Sequence, residues 1–212
     1  GAFPCFDEPA FKIPFRVRIR VPEGIDVVAN TLIESEESAG GFRSVVFRET
    51  KPLPTYLLAL AVGRFDYVEI PGMSVPGRIV TPRGQGALAR VAAAETPAIL
   101  AELERWFDSK YPYDKLDLVA VPEFWAGAME NPGLITFADD LLLPGETPTA
   151  GQLRRLIQVT AHELAHIWFG DLVTMAWWDD LWLNESFADW LGDKTTDRLR
   201  PELGAGRAEL GD

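Results

Sequence analysis

The sequence predicts an α+β protein, with a sheet-rich first third followed by a region of long helices. Three observations carry that reading. Residues 15–21 alternate apolar Phe15, Val17, Ile19 and Val21 with Arg16, Arg18 and Arg20, the period of a strand with one buried face. Residues 71–77 place Pro71, Gly72, Pro76 and Gly77 close together, and the composition changes after them. Beyond that break, residues 87–108, 151–168 and 180–199 repeat apolar side chains at helical spacing.

In chain order, strands are expected at 15–21, 27–33, 42–49 and 56–70. The turn-forming clusters Pro22-Glu23-Gly24 and Ala39-Gly40-Gly41 separate the first three. The break at 71–77 divides the chain into 1–74, a sheet module, and 75–212. The helix over 87–108 contains Pro97, which has no amide proton for the ladder and is expected to kink or split it. Short strands are expected at 116–121 and 134–137, then the helices at 151–168 and 180–199. Gly170-Asp171 is expected to close the first of these, and Asp179 or Asp180 to cap the second.

The chain of 212 residues suffices for one large domain or two modest ones with real cores. No apolar run approaches the roughly 20 residues that span a bilayer, and no signal-peptide pattern follows Gly1; the compartment stays open. A net charge of −12 repels phosphate backbones, which argues against a nucleic-acid partner. Cys5 is the only cysteine, so no internal disulfide can form, and its neighbours Phe3, Pro4 and Phe6 suggest a small buried hydrophobe.

The chemistry concentrates in His162-Glu163-Leu164-Ala165-His166. The chain has two histidines, and both lie here. Imidazoles at i and i+4 share one helical face, so both can reach a single metal at about 2.0–2.1 Å. Glu163 is rotated about 100° from His162, beside the metal, where a general base must stand. A catalytic zinc keeps three protein ligands. Glu185 follows His166 after 18 intervening residues, on a second helix that can run back antiparallel and complete the set. Trp168, Trp177, Trp178, Trp182 and Trp190 surround these helices and are read as packing. Asp171 and Asp189 could orient a ligand, but capping and solvation explain them equally well.

This pattern resembles the gluzincin aminopeptidases, the family of aminopeptidase N and leukotriene hydrolase. Gly127-Ala128-Met129-Glu130-Asn131 is similar to the family's second signature. Trp168-Phe169-Gly170 and Trp182-Leu183-Asn184-Glu185 extend the likeness, and residues 3–9 resemble the family's N-terminal sheet domain. The resemblance implies that 1–74 is the end of an all-β N-terminal domain and that 75–212 belongs to a thermolysin-like catalytic domain. It implies one Zn²⁺ on His162, His166 and Glu185. Glu163 is then the catalytic base of peptide-bond hydrolysis.

Glu130 is implied to bind the free α-amino group of a peptide substrate, with residues 127–131 pairing to the substrate backbone. A carboxylate suits that task because it pairs with an ammonium and fixes the scissile carbonyl in place. The family's oxyanion tyrosine would lie beyond Asp212, so a fragment that holds zinc with little peptidase activity of its own is expected. A non-catalytic relative and an epoxide-opening hydrolase on the same site are the rival readings. Oligomeric state is not legible.

Overall fold

The computed structural model describes residues 3–204. Its first region follows the alternation pattern. Strands β1 (Arg18–Pro22), β2 (Asp26–Ala29), β3 (Ile33–Ala39), β4 (Phe42–Phe47) and β5 (Leu60–Gly63) form a three-stranded antiparallel sheet, β1-β4-β3, and a two-stranded ribbon, β2-β5. Val21, Val27, Ala29, Val45 and Phe47 make a small core between them. β3 is exposed along its whole length and pairs with β4 across the Gly40-Gly41 turn.

The apolar run at 56–70 does not form one strand. It becomes a 3₁₀ turn at Thr55–Leu57, then β5, and after Arg64 the strand β6 (Phe65–Glu69), which belongs to a different sheet. That sheet has the order β6-β7-β8-β10-β9, with β7 (Gly77–Pro82), β8 (Leu116–Val121), β9 (Ala128–Met129) and β10 (Leu134–Ala138). β7, β8 and β10 run parallel; β6 and β9 are antiparallel at the two edges. Residues 71–76 form the connection between β6 and β7, so this sheet includes a strand from each side of residue 74.

Parallel strands covered on both faces should be mostly apolar; β8 and β10 are, apart from Thr136 and the buried Asp117, which pairs with Lys115 and Arg78. On one face lie α1 (Arg90–Trp106), α2 (Asp139–Leu142), α3 (Ala150–His166) and α4 (Leu181–Leu199), through a core that includes Ile79, Leu118, Ile135, Ile99, Leu103, Ile157 and Leu164. The other face packs Val80, Val119 and Leu134 against Val28 of the ribbon. α1 runs unbroken through Pro97. Its inner face, from Ala92 to Leu103, is buried against the sheet, and that burial outweighs the missing ladder bond.

Asn30 fastens the ribbon to the sheet. Its amide donates to the carbonyls of Leu57 at 3.0 Å and Pro132 at 2.9 Å, and its side-chain oxygen accepts from the Ala59 amide at 2.8 Å. Gly133 sits at this junction with φ +74°, and a Cβ there would lie 2.0 Å from the Asn30 carbonyl oxygen. Gly133→Ala should therefore cost at least about 1–3 kcal/mol through strain alone, with the clash added. Chemical denaturation tests this; an unchanged midpoint would mean the junction yields freely.

Cys5 is exposed rather than buried, because the segment before β1 lies on the surface with Phe6 and Phe11 also open.

Candidate active site

α3 begins where the sequence can start a helix. Thr149 accepts from the Gln152 amide, and the Gln152 side chain returns a bond to the Thr149 amide, a complete capping box. Its buried face, Leu156, Ile157, Thr160, Ala161 and Leu164, faces the core. The helix ends at His166, earlier than Gly170-Asp171, and residues 167–180 carry the chain to α4. Asp180 occupies the N-cap position of α4, but its side chain makes no capping bond.

His162 and His166 bring their Nε2 atoms to 3.0 Å. Glu185 Oε2, from α4, stands 3.4 Å from the first and 3.5 Å from the second. Tetrahedral bonds of ~2.0–2.1 Å separate ligand atoms by ~3.3–3.4 Å, so this triangle has the dimensions of three corners around a zinc-sized cation. Among the described residues these three make up a group able to hold a metal. The titration of Glu185 and His166 reflects the same crowding. The facing His162 and His166 rings hold Glu185 down to about 2. Burial lowers the His166 pKa, but Glu185 and the charges of Glu130 and Glu163 outweigh it and lift it to about 10.

The outer nitrogen of each ring is also held. His166 Nδ1 lies 2.8 Å from Asn184 Oδ1, and His162 Nδ1 lies 2.9 Å from Asp189 Oδ1. Such partners fix the ring and leave Nε2 for the metal. Asn184 donates in turn to Glu130 Oε1 at 3.4 Å, linking His166 to the second signature. Gly170, at φ +146°, packs so closely that a Cβ would come within 2.5 Å of Asn184 Oδ1. The only sequence signal for Asn184 was its place in the family-like stretch Trp182-Leu183-Asn184-Glu185, which assigned it no role. Asp189 had one, a spacing of i+4 from Glu185, shared with any solvated helix face. Asp189→Ala should weaken zinc binding by about 10–100-fold while the fold persists. Chelator competition measures this, and an unchanged affinity would reduce the His162 contact to a surface pair.

A cleft of about 410 Å³ opens over these groups. It is lined by Gly127 to Glu130 of the β9 edge and by Arg155, Gln158, His162, Glu163, His166, Glu185 and Asp189 of the two helices. Asn131 lies outside this lining. It is buried behind β9, where its amide donates to the Leu57 carbonyl at 3.3 Å and its side-chain oxygen accepts from Thr136 at 3.1 Å. Glu163 is buried, and burial followed by the charge of Glu130 pushes its carboxyl well above the usual range. A dication held by His162, His166 and Glu185 would favour the carboxylate.

Asp171 is fully buried with neither carboxylate oxygen hydrogen-bonded to the protein, and burial, then Glu130, raises its pKa. It is no surface cap. The tryptophans divide. Trp168 is buried, stacked on Phe107 at 4.9 Å, whereas Trp177 (59%), Trp182 (62%) and Trp190 (44%) are exposed. Packing within the described residues thus accounts for Trp168, and in part for Trp190 through the rings of Trp106 and Phe187, but not for Trp177 or Trp182.

The sequence matches the Peptidase family M1 domain over residues 91–210 and the Peptidase M1 N-terminal domain over residues 1–57. It is 41% identical over 204 residues to Aminopeptidase M1-C of Oryza sativa subsp. japonica, covering 94% of this chain and 23% of that protein. It is 42% identical over 199 residues to Probable aminopeptidase 2 of Sulfurisphaera tokodaii, covering 94% of this chain and 26% of the relative. With Leucyl aminopeptidase of Saccharolobus solfataricus the identity is 40% over 198 residues, 93% of this chain and 25% of the relative. The chain therefore spans about a quarter of the length of the curated relatives it matches.

Proposed function

The chain belongs to peptidase family M1, whose members are zinc-dependent, and from that premise we propose that it carries the metal-binding and base-supplying part of an aminopeptidase. The substrate is a peptide with a free amino terminus, and the reaction is hydrolysis of its first peptide bond. His162, His166 and Glu185 hold one Zn²⁺, with Asp189 and Asn184 orienting the two rings. The observation that carries this reading is the donor triangle of 3.0, 3.4 and 3.5 Å with a buried carboxylate, Glu163, beside it.

Zinc bound there supplies Lewis acidity toward the scissile carbonyl and the attacking water. Glu163 takes the proton of that water and delivers it to the leaving amine. Glu130, held by Asn184, pairs with the substrate ammonium, and the β9 edge at Ala128 and Met129 offers unpaired backbone groups on which an extended peptide can lie. Gly127 and Asn131 act on this edge, the first beside the cleft and the second bracing it from behind. We place the division between the two modules within residues 58–90, which neither family match covers; 74/75 is the point that the sequence marks. No helix among the described residues is long and apolar enough to cross a membrane.

Hydrolysis of an alanyl amide by the whole protein, with and without chelator, tests the proposal. Chelator-insensitive turnover, or turnover only on an epoxide, would be incompatible with it. Glu130→Ala should raise KM and lower kcat together while the zinc content stays at the wild-type level, because the lost carboxylate both binds and positions the substrate. Unaltered cleavage of the alanyl amide would remove Glu130 from that role.

A further inference from the structure

We propose that the segment preceding β1 positions the zinc ligands, with Lys12 as the positioning residue. This rests on the zinc reading above and extends it to residues outside the cleft. The ligands come from two helices joined by residues 167–180, which contain no helix beyond the single turn Trp178–Asp180. Contacts from the first module fasten this connection near both ends.

At its start, the amides of Asp171, Leu172 and Val173 bond back to the carbonyls of His166, Ile167 and Trp168 at 2.9, 3.1 and 3.1 Å. The carbonyls of Asp171 and Leu172 then accept from Lys12 Nζ at 3.0 and 3.3 Å. An ammonium satisfies carbonyls that trail a helix C-terminus, where the dipole also favours a cation. Its charge also faces the buried carboxylate of Asp171, whose oxygens have no protein hydrogen bond. At the far end, Trp178 Nε1 donates to the Asp7 carbonyl at 2.8 Å, and its ring lies against Tyr56 at 4.9 Å. Thr55 donates to Asp7 Oδ1 at 2.9 Å and completes the clamp.

The route to the metal is short. Lys12 fixes residues 171–172, which keep the backbone of Gly170 against Asn184 Oδ1. That oxygen holds His166 Nδ1, and Asn184 is the neighbour of Glu185 on α4. Releasing the connection thus loosens one imidazole and the start of the helix that supplies the carboxylate.

The test is the rate of zinc release into excess chelator, measured on the full chain at a temperature where circular dichroism shows each variant folded. Lys12→Met should release zinc about tenfold faster, the scale on which outer partners of a ligand act. Lys12→Arg should restore most of the wild-type rate, and Trp178→Phe should shift it in the same direction as Lys12→Met. Val45→Ala, which weakens the core of the first module, should lower the melting temperature without changing release. Wild-type release from both Lys12→Met and Trp178→Phe overturns the inference alone. If Lys12→Met does not fold, Trp178→Phe decides by the same criterion. A wild-type chain that takes up no zinc overturns the zinc reading and this inference with it.

Discussion

Replacing Glu163 by Gln leaves zinc bound and lowers turnover by about 10²–10⁴-fold, the range that a positioned general base contributes. Glutamine keeps the shape of the side chain and removes its ability to accept a proton. Glu163 is buried beside the ligands without belonging to the His162, His166 and Glu185 triangle, so the metal should survive the change. Burial and the neighbouring Glu130 already disfavour the side chain's charged form, so a neutral amide is tolerated at this position. Metal analysis and steady-state kinetics on the whole protein, run together, separate base loss from metal loss. Turnover close to wild type would mean that the proton is taken elsewhere; loss of zinc would mean that Glu163 is also structural.

Glu185→Ala should have the largest effect on the metal itself. Two imidazoles 3.0 Å apart on one helical turn make an incomplete site, and the third corner comes from a different helix. The loss should exceed the about 10–100-fold that removal of an outer hydrogen-bond partner costs. It also removes the negative charge that faces His162 and His166, so the rings lose their partner in the metal-free protein as well. The fold should persist, since the Glu185 side chain is about half exposed and α4 is anchored by Ala188 and Leu191. Zinc retained at one per chain under chelator competition would point to a different third ligand.

The parts legible in the sequence are those where one local rule and burial agree. α3 carries a cap at Thr149, an apolar face and both histidines, and the spacing to Glu185 implies a returning helix. β8 and β10 are apolar but for Asp117 and Thr136, because both faces are covered. β3 was invisible because every residue in it is exposed, so only pairing with β4 makes it a strand. β9 is two residues long and is likewise defined by its partner, β10. The run at 56–70 looked like one strand because both halves are apolar, yet each half serves a different sheet. In the site, Asn184 acts on His166, 18 positions away, and Asp171 is held by Lys12, 159 positions away, contacts that no local pattern encodes.

His162, His166 and Glu185 are proposed to share one zinc ion. Anomalous scattering at the zinc edge, from crystals of the chain equilibrated with zinc, tests it most directly. A single strong site is expected within ~2.0–2.2 Å of His162 Nε2, His166 Nε2 and a Glu185 carboxylate oxygen. An anomalous site at any other group of side chains, or none under zinc concentrations that saturate the protein in solution, would contradict it.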